Sequence, residues 1–280
     1  MKNIMRLVCL TAVICLLSVS AAFAQEPELP STGLSTSVDL GYVSQYIWRG
    51  IPLNTDPAFQ PSITISHPSG LSFNLWGSMD TTNIAGKSGD LTEADYTLNY
   101  AWETKGREMN AGVSCYTYPN TTDSGTSEIF MSMCFGGTLA ATLSANYDID
   151  EADGYYLTLG VGHDCATAWK KAPKLGLSAK VSYGSDKFVK YYYNGYSEMN
   201  KSRSAKTAIK PGYYMPQVNK SAFTDVILSV SMPYTMKNGM TLAPNVNYTM
   251  IIDSDIKDVM KAAREDRNNF FAGVTLSTSF

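Results

Sequence analysis

From Leu34 onward the chain alternates apolar and polar residues with period two. In "TLAPNVNYTMII", Leu242, Pro244, Val246, Tyr248, Met250 and Ile252 fall on one face, and Thr241, Ala243, Asn245, Asn247 and Thr249 on the other. "TLSANY" sets Leu143, Ala145 and Tyr147 against Thr142, Ser144 and Asn146. "ADYTLNYAWE" sets Ala94, Tyr96, Leu98, Tyr100 and Trp102 against Asp95, Thr97, Asn99, Ala101 and Glu103. Successive side chains of a strand point to opposite faces, so each segment reads as a strand with one apolar and one polar side. About twelve strands are predicted, near 36–49, 59–66, 70–80, 92–103, 107–118, 126–135, 138–148, 154–163, 174–184, 222–232, 240–252 and 268–280.

The connections fall into two alternating classes. "HPSG", "TKG", "GG", "DCATAWKKAP" and "PYTMKNG" are mostly short and carry turn chemistry. The others tend to be longer, and those near 185–221 and 253–267 are the longest. Short turns at one end, long loops at the other and an even strand count are the habit of outer-membrane barrels. Strands of this length also suffice to cross a bilayer with tilt. The fold class is therefore all-β, a transmembrane antiparallel up-and-down β-barrel. A soluble β-sandwich would alternate too, but with its apolar face lining a core. It would give no reason for aromatics at two levels. Here Tyr46, Trp48, Phe59, Tyr147, Tyr155, Tyr183 and Phe270 sit near the loop end, and Trp102, Phe135 and Phe280 near the turn end. Pro61 and Pro244 cannot donate to a ladder and are expected near strand starts or bulges.

The ends of the chain fit this picture. Lys2 and Arg6, an apolar run from Leu7 to about Val19, and Ala22-x-Ala24 read as a secretory signal peptide over 1–24, leaving one domain over 25–280. The last stretch, "FFAGVTLSTSF", places Phe270, Ala272, Val274, Leu276, Thr278 and Phe280 on one face. A final strand ending on an aromatic resembles the signature read by the barrel-assembly machinery, which is the expected partner together with outer-membrane lipid and lipopolysaccharide.

Composition mainly excludes. Without Lys2 and Arg6 the chain carries about five more acidic than basic residues, which gives no case for nucleic acid. The only histidines are His67 and His163, both expected at the turn end, and no nucleophile or metal motif appears. No enzyme, cofactor or metal is expected. Of the cysteines after the leader, Cys115 is expected opposite Ile129 and facing lipid, and Cys134 opposite Asn110 and facing the lumen. That geometry forbids a bridge between them. Cys165 falls in a turn.

The polar face supplies the candidate chemistry. Asp39, Arg49, Asp95, Glu103, Glu128 and Lys180 are expected to line a pore, with Asp80 and Asp225 on the same face. Such charges tune the passage of small polar solutes or pair across the lumen and fill it. Twelve strands lie between filled and open barrels, so the expected channel is narrow. The 185–221 loop carries seven Lys or Arg against Asp186 and Glu198 and is rich in tyrosine. Its candidate ligand contacts are Lys201, Arg203, Lys206, Tyr196 and Tyr213, for a sugar, an anion or a lipopolysaccharide phosphate. A strand extension with solvated charges is the plain alternative. In the last loop, Ile256, Val259, Met260 and Ala263 recur at helical spacing behind Ser254, which predicts a short capped helix.

The stretch "YVSQYIWRGIP" followed by "DPAFQPSITI" resembles the opening of the TorF-family candidate porins, the Gcw-type outer-membrane proteins of unknown function. In that family an aromatic-x-x-Arg-Gly ends the first strand and Pro-Ala-x-Gln opens the second. The matching positions are Tyr46, Arg49, Gly50, Pro57, Ala58 and Gln60. The resemblance implies an outer-membrane barrel acting as a porin. The other reading of the residues is a barrel closed inside, which binds a surface ligand through the 185–221 loop.

Overall fold

The computed structural model describes residues 33–83, 87–121, 123–165, 173–194, 216–263 and 266–280. The expected signal peptide lies outside them. Fifteen strands follow in chain order: β1 (Ser35–Val43), β2 (Tyr46–Trp48), β3 (Ile51–Asn54), β4 (Ala58–Ser66), β5 (Leu71–Asp80), β6 (Leu91–Thr104), β7 (Arg107–Thr117), β8 (Thr126–Phe135), β9 (Ala140–Asp148), β10 (Gly154–Cys165), β11 (Leu175–Gly184), β12 (Ala222–Ser231), β13 (Tyr234–Thr235), β14 (Thr241–Ile251) and β15 (Asn268–Ser279). Among the described residues two helices lie in the long loops, α1 (Asp186–Val189), continued by a π-turn over Lys190–Asn194, and α2 (Ser254–Ala262).

Twelve of the strands form one closed antiparallel barrel. Each pairs with its neighbours in sequence, β15 returns to β1, and β12 pairs with β14. Closure leaves no edge, which lipid demands because it offers nothing to an unpaired N–H. Among the described residues no helix is long and apolar enough to cross a membrane. β13 is a two-residue extension beyond β12, paired to the start of β14.

The apolar face points outward as the alternation requires. Leu40, Tyr42, Ile63, Leu75, Leu98, Ile129, Leu143, Leu159, Leu228 and Val246 are all exposed on the outside. The aromatics gather at two levels. At the loop end Tyr42 and Phe59 are register partners, as are Tyr147 and Tyr155. Tyr183 meets Phe223 edge to face at 5.2 Å. At the turn end Tyr100 stacks on Trp102 at 5.7 Å, and Arg107 lies over Phe135. Both prolines sit where the ladders break. The β4–β5 register skips from Phe59↔Met79 to Ser62↔Trp76, past Pro61. Pro244 lies where β14 passes from β12 to β13. Lys105 and Gly106, at φ 51° and 70°, make the two-residue turn between β6 and β7.

The expected pairing of β7 with β8 is wrong by two residues. Cys115 stands opposite Ser127, not Ile129, and Cys134 opposite Glu108, not Asn110. The cause is that Tyr116, not Tyr118, partners Thr126, so the loop takes two residues from the strand. An even slip leaves the faces unchanged, and Cys115 points out and Cys134 in as expected. Cys165 is the last residue of β10, opposite Leu175, rather than a turn residue. Cys134 and Cys165 are free thiols.

The larger departure is at the start. The strand expected over 36–49 ends at Val43. Ser44 still holds β15, donating its N–H to the Ala272 carbonyl at 2.8 Å and accepting the Ala272 N–H on Oγ at 3.0 Å. The chain then leaves the wall. β2 and β3 pair only with each other and form a separate two-stranded hairpin. Gly50, expected to end the first strand, is in the hairpin's turn, and Pro52 lies on its return strand. Tyr46 and Trp48, expected in the outer aromatic belt, turn inward.

Candidate functional site

The hairpin plugs the loop end of the lumen. Arg49 and Gly50 form its tip, both at positive φ (49° and 79°), the two-residue turn that suits strand twist. A Cβ on Gly50 would lie 2.8 Å from Ile251 Cδ1 and 2.9 Å from Asp225 Cβ, so glycine is required by both conformation and space. Behind the tip Tyr46 packs on Trp76 at 5.6 Å, an inward tryptophan of β5. Asn54 donates its side-chain amide to Asp80 at 2.8 Å.

Two further segments complete the plug. α1 and its π-turn bring in Phe188, Val189 and Tyr193. α2 brings in Ile256, Val259 and Met260. All six are at most 1% exposed and cluster with Ile51, Tyr156, Val218 and Ile251, while Trp48, Leu53 and Tyr192 pack against them. The apolar stripe of α2 is therefore the expected one, but its cap is not. Asp253, not Ser254, accepts the N–H groups of Asp255 and Ile256 at 2.9 Å and 3.1 Å. A carboxylate there also suits the positive end of the helix. Lys220 reaches Asp253 at 3.0 Å and Asp255 at 2.8 Å, tying the end of the long loop to this cap. Burial pushes the Asp253 carboxyl up, but Lys220 and the two N–H groups prevail and hold it below its ordinary range.

Polar contacts fasten the plug to the wall. Arg49 makes a two-pronged contact with Glu128, Nη1 to Oε1 at 2.7 Å and Nη2 to Oε2 at 2.6 Å. The side chains are 11% and 1% exposed, so the pair is out of water. The planar guanidinium matches a carboxylate in this geometry. Its faces lie near aromatic rings, 4.3 Å from Trp48 and 4.5 Å from Tyr156. Tyr116 donates to Glu128 at 3.1 Å, and Tyr156 to Asp225 at 2.7 Å. From the π-turn, Tyr193 donates to the Arg49 carbonyl at 2.9 Å and Tyr192 to Asp148 at 2.6 Å. Asp148 also accepts the N–H groups of Asp150, Glu151 and Ala152, which folds the tight β9–β10 loop around it. Burial, and then the Asp148 charge, raises the Tyr192 hydroxyl well above its usual range, so it stays a donor.

Of the six expected pore-lining residues, only Arg49 and Glu128 meet. Asp39 points inward from β1 and accepts a hydrogen bond from Ser62 at 3.3 Å. Asp95 is inward on β6, opposite Trp76 on one side and Tyr116 on the other. Glu103 stands opposite Glu108 at the turn-end rim, both exposed. Lys180 is inward on β11 and exposed to the lumen. The expected loop contacts Lys201, Arg203, Lys206, Tyr196 and Tyr213 lie outside the described residues. Reading the residues missed the tyrosines that bind the plug. Tyr116 and Tyr156 were findable, because each falls on the polar face of its strand, where a tyrosine needs a partner for its hydroxyl.

The motif residues of the opening stretch converge here. Arg49 and Gly50 form the tip. Ala58 is fully buried where β4 begins, and Gln60 reaches Ser78 at 3.5 Å. Residues 25–236 match the family Gcw_chp, described as bacterial protein of unknown function. The chain belongs to that family. No curated protein matches it. Solved structures similar to this Gcw_chp chain include a KdgM porin in complex with disordered oligogalacturonate (10% identity, 88% of this chain and 99% of that one, TM-score 0.47). A COG4313 outer membrane channel from Pseudomonas putida F1 is similar over 91% of this chain and 100% of that one, at 12% identity and TM-score 0.44. So is the outer membrane phospholipase A from Escherichia coli, over 92% and 95%, at 12% identity and TM-score 0.42. Likeness at this level does not choose among channel, enzyme and receptor.

Proposed function

We propose that this Gcw_chp protein is an exported outer-membrane barrel forming a narrow channel for small polar solutes, and not an enzyme. The observation that carries this reading is the lumen below the plug. Its walls present Asn74, Asn99, Asn110, Ser144, Ser178 and Asn247, all partly exposed, with Lys180 and Asp39 among them. A wall of amides and hydroxyls holds water and passes small polar molecules. Asp39, Asp95, Glu103 and Lys180 line the path, while Arg49 and Glu128 set its constriction. The signal over 1–24 would be cleaved on export, and β15 would be the segment taken by the barrel-assembly machinery. Against an enzyme, His67 pairs with the neighbouring Ser69 in an exposed turn, and His163 with the Thr138 carbonyl. Neither arrangement supplies a nucleophile, a base and an orienting group.

A second reading has one observation in its favour. The apolar plug fills the outer mouth, as suits a closed, receptor-like barrel whose 185–221 loop, with lipopolysaccharide beside it, meets a surface ligand. Recordings of the refolded protein in planar bilayers decide between them. Discrete conductance steps support the channel, and their complete absence, both in the wild type and with the β2–β3 hairpin removed, in protein with heat-dependent gel mobility leaves the receptor.

A further inference from the structure

The hairpin is dispensable for closing the barrel. Val43 and Ala58 are register partners, so β1 and β4 are already joined in the wall at the point where the chain departs. Residues 45–56 are an excursion into the lumen and back. The excursion pairs with no barrel strand, and its tip is gripped by side chains from several strands rather than by a ladder. Glu128 on β8 clamps the guanidinium, and Asp225 on β12 and Ile251 on β14 press on Gly50. The tip thus reaches walls on separated parts of the barrel circumference, so it crosses the lumen instead of lying along one side. Its charge is paired, and the apolar cluster of Phe188, Val189, Ile256, Val259 and Met260 packs behind it, so the plug excludes water and ions from the lumen it crosses.

We infer that β2–β3 is the gate of the channel and that the Arg49–Glu128 pair is the latch holding it shut. This inference rests on the channel reading and names how that channel is regulated. Opening separates the pair and withdraws the tip from the walls, which joins the polar lower lumen to the outer mouth. The barrel strands need not move. α1 and α2 form the rest of the plug, and Tyr193, which holds the Arg49 carbonyl, couples their position to that of the tip.

The test compares three refolded proteins in planar bilayers, each first checked for heat-dependent gel mobility and β-sheet circular dichroism. They are the wild type, a variant with residues 45–56 replaced by a short Asn-Gly turn, and Glu128→Gln. The turn variant keeps every wall residue, so failure to fold is not the expected result. It should conduct on the order of threefold or more above wild type per channel. Glu128→Gln should spend roughly tenfold more time open than wild type. If the turn variant and wild type show the same steps and occupancy, the hairpin is not the gate and the inference fails while the channel stands. If Glu128→Gln gates like wild type while the turn variant conducts more, the latch assignment is overturned. If neither deletion nor substitution yields any conductance, the channel reading falls and takes the gate with it.

Discussion

Replacing Arg49 by methionine tests the energetics of the plug. The substitution keeps much of the side-chain length and removes the charge. It strands the Glu128 carboxylate, 1% exposed, with the Tyr116 hydroxyl at 3.1 Å as its hydrogen-bond donor among the contacts described. Removing one partner of a buried ion pair costs about 3–5 kcal/mol, because the survivor stays desolvated. The guanidinium also lies over Trp48 and Tyr156, adding roughly 0.5–2 kcal/mol that the methionine only partly recovers through sulfur contacts. The loss cannot exceed the free energy that docks the hairpin, since beyond that the hairpin simply leaves and Glu128 is hydrated. The expected result is therefore local. Amides of 46–54 should lose protection from hydrogen exchange by on the order of 100-fold or more, at about 1.4 kcal/mol per tenfold, while strand amides barely change. Glu128→Gln should cost less, about 1–3 kcal/mol, because the glutamine carbonyl still accepts one guanidinium bond and the rings still hold the cation. The double variant should cost less than the sum of the two, with a coupling of roughly 1–3 kcal/mol. Protection of the hairpin in the Arg49→Met protein within about threefold of wild type would refute the argument, as would strictly additive single effects.

Other outcomes follow from the same contacts. Gly50→Ala should loosen the hairpin by about 1–3 kcal/mol, through positive φ and crowding against Asp225 and Ile251, and the same exchange experiment reads it. Asp253→Ala should cost α2 about 1 kcal/mol, seen as faster exchange at its first turn. Because the folded Asp253 carboxyl sits below its ordinary range, its contribution is complete above the ordinary carboxylate value and disappears as pH falls through the lowered one. Wild type and Asp253→Ala should therefore converge in α2 protection only in strong acid, and convergence near neutrality would contradict the cap. In the conducting protein Lys180→Glu should shift the reversal potential in a salt gradient toward cations, since Lys180 is exposed to the lumen. No shift would remove Lys180 from the solute path.

Most of the barrel was legible because alternation carries two kinds of information with different tolerance to error. Which face a residue takes depends only on parity, so the two-residue slip between β7 and β8 left Cys115 outward and Cys134 inward. Which residue it meets depends on how many residues the loop consumes, and nothing in 118–125 announces that number. Helix α2 was readable for a related reason: its stripe of Ile256, Val259 and Met260 encodes burial directly. Its cap was misplaced by one residue because Asp253 and Ser254 are both good caps, and only the backbone chooses between them.

The hairpin was hidden because its alternation continues in phase with β1. Tyr42, Tyr46 and Trp48 share parity, so the period predicts a single strand through residue 49, although the wall is abandoned after Ser44. A readable clue follows the Arg-Gly. "IPLN" is too apolar for a loop in water, and Ile51 is indeed 1% exposed. An apolar return strand after a two-residue turn has nowhere to go but inside the barrel. That destination also accounts for an arginine at the tip. The turn carries backbone groups that cannot all bond within the hairpin, and water is excluded where it lands. A plug with a wholly apolar tip would bury those groups and leave Glu128 uncompensated. Arg49 answers the second need with its guanidinium, and its carbonyl, held by Tyr193, answers part of the first. The charge that the alternating pattern assigned to the passage of solutes is, in the folded chain, paired with Glu128 and fastens the hairpin tip to the wall.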